Sequence, residues 1–226
     1  MKMLSSLVSP ASAMIFGAFA LAVSVPAHAD PVAWTNWSSQ TSGNPGSASG
    51  TMGGATVTYS GQILGVASNY PSFDPASSYT SVAIDNAPPA SDGVIEMNGG
   101  SDLSESITFS APVVNPIIAI WSLGQSGTTA AFDFSDSFSI VACGPSAEYG
   151  GGCITESSNN VLGAEGNGVI EFDSTLSSIT FSTPETENWY AFTVGAPTPE
   201  PSSLLLLGTG LLGLAFVAFR KAKASV

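Results

Sequence analysis

The sequence predicts an all-β fold, an antiparallel β-sandwich of jelly-roll type, flanked by an N-terminal signal helix and a single C-terminal transmembrane helix. Three observations lead there. Between residues 30 and 196, Val, Ile, Thr, Tyr, Phe and Trp fall in short alternating runs broken by Gly, Pro, Asn, Ser and Asp, with no ten-residue stretch of helical period. About ten such runs with turn residues between them suit a sandwich. The two chain ends are apolar and uninterrupted, and the roughly 170 residues between them suffice for one domain with a core.

Residues 1–29 have the order of a secretory signal peptide: Lys2, an apolar run from Met14 to Val25, then Pro26-Ala27-His28-Ala29 before Asp30. Cleavage is expected after Ala29, so Ala27, Ala29 and Asp30 frame the site. A helix over twelve apolar residues rises only about 18 Å against a hydrocarbon core of about 30 Å, which suits a removable leader better than a permanent span.

The strands predicted in the exported domain, residues 30–196, are Val32 to Trp37, Ala55 to Ser60, Thr80 to Asp85, Gly93 to Asn98, Glu105 to Ser110, Ile117 to Leu123, Ala130 to Ala142, Gly168 to Asp173, Ser177 to Ser182 and Trp189 to Val194. Most of Asp30 to Gly54, dense in Ser, Gly, Thr and Asn, reads as loop, and Gly195 to Thr198 as an exposed linker. A near repeat pairs Gly93-Val94-Ile95-Glu96-Met97 and Ile107-Thr108-Phe109-Ser110-Ala111-Pro112 with Gly168-Val169-Ile170-Glu171-Phe172 and Ile179-Thr180-Phe181-Ser182-Thr183-Pro184, suggesting two equivalent three-strand units. Alternation then puts Ile95 and Met97, or Ile170 and Phe172, on one face and the Glu on the other. Pro112 and Pro184 are expected just past strand ends. Cys143 and Cys153 enclose a Gly-rich loop, and an even pair in an exported chain points to one disulfide.

The terminal segment, 197–226, runs Pro199-Glu200-Pro201, then Ser202 to Phe219 without a charge, then Arg220, Lys221 and Lys223. Eighteen Leu-rich residues reach the lower end of a bilayer span, and the basic flank would stay cytoplasmic, leaving the domain outside. This order of tripeptide, span and basic end resembles the PEP-CTERM sorting signal of Gram-negative bacteria, a tail that also carries the label ice-binding protein C-terminal domain without reference to ice. The resemblance implies that an exosortase, a membrane transpeptidase, cuts near Pro199 to Pro201. The expected partners are therefore the secretion translocon and signal peptidase, the exosortase, the inner membrane through residues 202–219, and the exopolysaccharide. The expected route is an inner-membrane-anchored intermediate that ends on the cell surface or in the extracellular matrix.

Charge excludes more than any motif allows. The four basic residues and His28 all lie in the two ends, so Asp30 to Thr198 holds sixteen of the seventeen acids and no Lys, Arg or His. Triads, Schiff-base chemistry, zinc sites of His type and phosphate clamps all need what is missing. Nucleic acid would be repelled. Among enzymes only a two-carboxylate glycosidase survives, and no local sequence sets two acids apart. The leading expectation is a structural or adhesion protein without catalysis or cofactor. Alternatives are a glycan-binding module, with Trp34, Trp37, Trp121 and Trp189 as contacts, and a structural Ca2+ site drawing on Asp133, Asp136 and Glu165. Ice binding would need a repeated Thr array, and Thr56-Val57-Thr58 stands alone in sequence.

Overall fold

The computed structural model describes residues 31–69, 72–198 and 203–224, with side chains of the last segment described at 207–216, 219 and 220. The strands are β1 (Val32–Trp34), β2 (Asn36–Thr41), β3 (Gly43–Met52), β4 (Ala55–Ile63), β5 (Gly65–Ala67), β6 (Val94–Val114), β7 (Ile117–Leu123), β8 (Ala130–Phe134) and β9 (Ser139–Cys143). They continue with β10 (Gly152–Cys153), β11 (Thr155–Ser157), β12 (Asn160–Gly163), β13 (Gly166–Glu171) and β14 (Thr175–Pro197), and one helix, α1 (Ser203–Ala224), follows.

The all-β expectation holds, but jelly-roll topology is not supported. A jelly roll stacks two sheets of Greek-key strands, whereas these strands form one hydrogen-bonded network with the central order β10-β13-β7-β14-β6-β4-β3-β2. Every ladder is antiparallel except the short β10–β13 pair. The sheet doubles over because β6 and β14 each serve two layers. The later half of β6 pairs β4 and the early half of β14, as in Ile107↔Ile179 and Tyr59↔Ile107. The other halves pair each other at Ile95↔Phe192 and continue to β7 at Ile120. Ile95 and Ile107 would lie about 40 Å apart on a straight strand. Yet Tyr59, beside Ile107, meets Phe192, beside Ile95, with ring centroids 5.3 Å apart. The chain turns this corner at Gly99 and Gly100, whose φ values of 67° and 71° favour glycine.

Between the layers lies the main core, which joins Tyr59, Ile95, Met97, Ile107, Phe132, Ile170, Phe172, Phe181 and Phe192. The alternation argument is met: Ile95, Met97, Ile170 and Phe172 are buried there, while Glu96 and Glu171 are half-buried. A second core covers the opposite side of β7 and β13, with Trp34, Phe73, Tyr79, Ile84, Trp121 and Val169. With both sides covered, β7 is buried at every position, which accounts for its unbroken apolar run.

Several expectations change. Thr80 to Asp85 is no strand; between 3-10 turns at Ala76–Ser78 and Ala90–Asp92 it drapes Tyr79 and Ile84 over the second core. Ala130 to Ala142 is two strands, and the repeat does not make equivalent units. Its first copy is the continuous β6, while its second is broken between β13 and β14, and the two Ile-Thr-Phe segments pair with each other. Pro112 and Pro184 sit inside long strands, near register shifts that leave no ladder bond for a missing N–H. The Ser/Gly-rich segment is a hairpin, β2–β3, because Gly46, Ala48, Gly50 and Met52 alternate inward. A Cβ on Gly50 would press on the Thr35 methyl, 2.8 Å away, so the close approach selects glycine. Gly195 to Thr198 is no free linker, since β14 runs through Pro197 against β1 and Thr198 N donates to Pro31 O at 2.8 Å.

Thr56-Val57-Thr58 does not stand alone in space. Register sets Ser49, Thr58, Thr108 and Ser178 in one row and Ser47, Ser60, Ser106 and Thr180 in the next, on the outer side of the first layer. The strands there carry no acid from Val32 to Phe73, so this side is clad in hydroxyls rather than charges.

The spanning helix expected over 202–219 is not supplied by the structure: among the described residues no helix is long and apolar enough to cross a membrane. Leu207, Leu211, Leu212, Leu214, Phe216 and Phe219 are exposed on α1, and the Arg220 guanidinium lies 6.0 Å from the Phe216 ring. The expected signal helix, with Ala27, Ala29 and Asp30, lies outside the described residues, as do Pro199, Glu200 and Pro201.

Candidate functional site

The four tryptophans separate by depth. Trp34 and Trp37 are buried, and their indole N–H groups donate to Asn86 O at 3.0 Å and Thr193 Oγ1 at 3.1 Å. Both are core residues rather than contacts for a glycan. Trp121 on β7 is fully buried and donates to Ser146 Oγ at 3.0 Å. Trp189 on β14 is half-buried and crosses Trp121 edge-on at a centroid distance of 4.8 Å. Trp189 lines a cleft.

That cleft, about 480 Å³, is bounded by Glu96, Ser122, Gly124, Gln125, Tyr149, Glu165, Asn188 and Trp189, a size in the range of small-ligand sites. Its aromatic wall is Trp189 and the exposed Tyr149, with centroids 6.0 Å apart. Trp189 Nε1 donates to Glu96 Oε1 at 3.1 Å, which fixes the indole against the Trp121 ring behind it. Across from it, Ser122 Oγ donates to Glu165 Oε2 at 3.3 Å. Ser122 and Glu165 both hold left-handed backbone, φ 60° and 63°. Strain of this kind collects where surrounding structure over-determines a functional position.

Asn167 is the buried organiser. Its Oδ1 accepts from Ser122 N at 2.8 Å and from the Tyr79 hydroxyl at 3.2 Å, and its Nδ2 donates to the carbonyls of Gly150 and Glu165 at 3.2 and 3.3 Å. One amide thus ties β7, the second core and the loop bearing Tyr149. That loop is closed by the Cys143–Cys153 disulfide, Cα–Cα 4.9 Å, as the spacing suggested. Replacing both cysteines by serine should lower stability by about 2 to 3 kcal/mol in the loop-entropy picture, read as a lower urea midpoint that reductant no longer moves.

Below the cleft floor, Glu187 is 5% exposed. Its Oε1 accepts from Gly124 N at 2.7 Å, while Oε2 has no partner. Burial pushes its carboxyl up from an ordinary 4.5 to about 7, opposed by the Gly124 bond and reinforced by the Glu165 charge. Glu105 is a separate buried acid between the layers, accepting from the Tyr59 hydroxyl and, at 3.0 Å, from Thr183 Oγ1. Burial raises its pKa against those bonds.

The calcium candidates are dispersed: Asp133 pairs with Asn160 and Ser182 on β8, Asp136 lies beyond that strand, and Glu165 lines the cleft. Among the described residues no group of three or more His, Cys, Asp and Glu side chains is placed to hold a metal ion. Missed in the sequence were Glu96, Tyr149, Gln125, Asn188 and Asn167. The Glu inside each Gly-Val-Ile-Glu segment was the available signal, an acid on the side of a strand facing away from the core.

The geometry defines a β-domain with one aromatic and acidic cleft, followed by a separate terminal helix. Residues 197–221 match the family model of the PEP-CTERM protein-sorting motif, so the chain carries that motif at its end. No curated protein and no solved structure matches the chain.

Proposed function

We propose that this is an exported protein, held at the inner membrane through residues 202–219 until an exosortase removes the tail, whose β-domain then serves a non-catalytic structural or adhesion role on the cell surface or in the exopolysaccharide matrix. The sorting motif at 197–221 carries the export reading. The exposed Leu and Phe side chains of α1 support membrane contact, since such a patch is unfavourable in water. Intact-mass analysis of protein from the envelope and from the medium tests it. The expected product starts at Asp30 and ends near Pro199; a sole product retaining 202–226 in the inner membrane would refute sorting.

For the domain, the reading supported best is glycan contact at the Trp189 cleft, where a ring platform stands beside amide and hydroxyl groups suited to sugar hydroxyls. Trp189→Ala should weaken retention on the cell's own exopolysaccharide about tenfold or more while thermal stability moves little, because the indole is only half-buried. A glycosidase would instead need an acid able to reach the scissile bond. Glu187, the cleft's raised carboxyl, is capped by Gly124 and sits beneath the lining, which favours binding over hydrolysis.

A further inference from the structure

The cleft's electrostatics narrow the ligand. Two carboxylates, Glu96 and Glu165, lie in its wall, and Glu187 lies beneath the floor. No Lys, Arg or His occurs from residue 31 to 198, so no cation of the domain neutralises them. The neutral partners that the structure gives them are donors that position them: the Trp189 indole on Glu96 and the Ser122 hydroxyl on Glu165. Each of these bonds engages one oxygen, and neither donor brings a positive charge. The surrounding domain adds only further negative potential, which concentrates cations at a concave surface.

The aromatic wall asks for the same sign. Trp189 and Tyr149 stand at 57° to each other with centroids 6.0 Å apart, so one cation resting against both lies within cation–π range of two rings. A uronate or sulfated sugar would meet repulsion from both carboxylates. A neutral sugar would leave them unused. A bare ammonium ion would leave unused the length of the cleft and the side chains of Gln125 and Asn188, which flank Trp189 and suit ring hydroxyls.

We propose that the Trp189 cleft binds a saccharide bearing a protonated primary amine, an N-deacetylated hexosamine unit, with the ammonium between Glu165 and the Trp189–Tyr149 wall and the sugar hydroxyls toward Gln125 and Asn188. The inference rests on the glycan reading of this cleft and specifies its substrate class. Asn167 and the disulfide-closed loop then act as positioning elements, holding Glu165 and Tyr149 on opposite sides of the amine.

The test is titration of the purified full-length protein, followed by tryptophan fluorescence, with three soluble trisaccharides: β-1,4-linked glucosamine, its fully N-acetylated form and a uronate trimer. The glucosamine trimer should bind about tenfold or more tighter than the acetylated one, the uronate should not bind, and the preference should shrink as salt rises. Glu165→Gln, with unchanged melting, should bring the two hexosamine trimers within about threefold of each other while Trp189→Ala weakens both. Equal binding of the amine and acetylated forms by the unmodified protein overturns the amine assignment and leaves the glycan reading standing. Binding of none of the three, in a protein whose melting shows it folded, overturns both.

Discussion

Gly99→Ala is expected to be among the most damaging single-methyl changes in the domain, lowering stability by about 2 to 5 kcal/mol. A left-handed φ of 67° costs an alanine about 1 to 2 kcal/mol. The new methyl would also press into the Glu185 carbonyl and lie 3.0 Å from the Tyr190 hydroxyl, a fault of overpacking worth about 1 to 3 kcal/mol more. Neither neighbour can step aside, because Glu185 O is backbone and Tyr190 is buried in the main core. Gly100→Ala is the matched control. Its φ is similar, but its methyl would meet the side chain of Thr186, which can rotate away. It should cost about half as much. Urea unfolding of the two variants reads the difference directly, and equal midpoints would mean that the corner of β6 does not govern how the layers close.

Acid should stabilise this protein, and Glu187 should be a main reason. Its folded pKa of about 7 lies above the ordinary 4.5, so between those values the folded chain retains a proton that the unfolded chain has lost. The corresponding stability is fully present below pH 4.5, declines as pH rises and is gone above about 7. The span is worth at most about 3 kcal/mol. Glu105, raised by burial as well, acts in the same sense. Glu187→Gln keeps an acceptor for Gly124 N and removes the charge, so melting between pH 5 and 8 should flatten and the variant should exceed the parent at pH 8 by about 1 to 3 kcal/mol. A variant that tracks the parent across that range would place the pH dependence elsewhere.

Sequence patterns revealed strands wherever burial is one-sided or total. β7 falls at Ile117–Leu123 as expected, and the inward sets Ile95 with Met97 and Ile170 with Phe172 were legible from alternation alone. Three things were hidden. The β2–β3 hairpin alternates in small residues, Gly46, Ala48 and Gly50, whose inward role comes from close backbone approach rather than from hydrophobicity. The unity of β6 was masked by the Gly-, Ser- and Asp-containing stretch around Gly99, which interrupts the apolar alternation. The cleft joins residues from β6, β7, β14 and three loops, so no local window contains it. Its tryptophan was named among four because sequence spacing does not distinguish a buried indole from one at a rim. The sorting tail was the most legible part, since its signal is linear and needs no partner from elsewhere in the fold.

The central position of β14 also sets how the domain bears force. Trp189 and Thr198 lie on one strand, or at its end, so tension between a ligand held at the cleft and a chain held at its C-terminus runs along residues 189–197. That segment is bonded to β7 at 191–195, to β6 at 190–192 and to β1 at 195–197. Because these ladder bonds lie across the pull, they are strained in shear together instead of opening one after another as in a peeled hairpin. With Thr198 also fastened to Pro31, the domain resists stretching along the line that joins the cleft to the C-terminal end of β14.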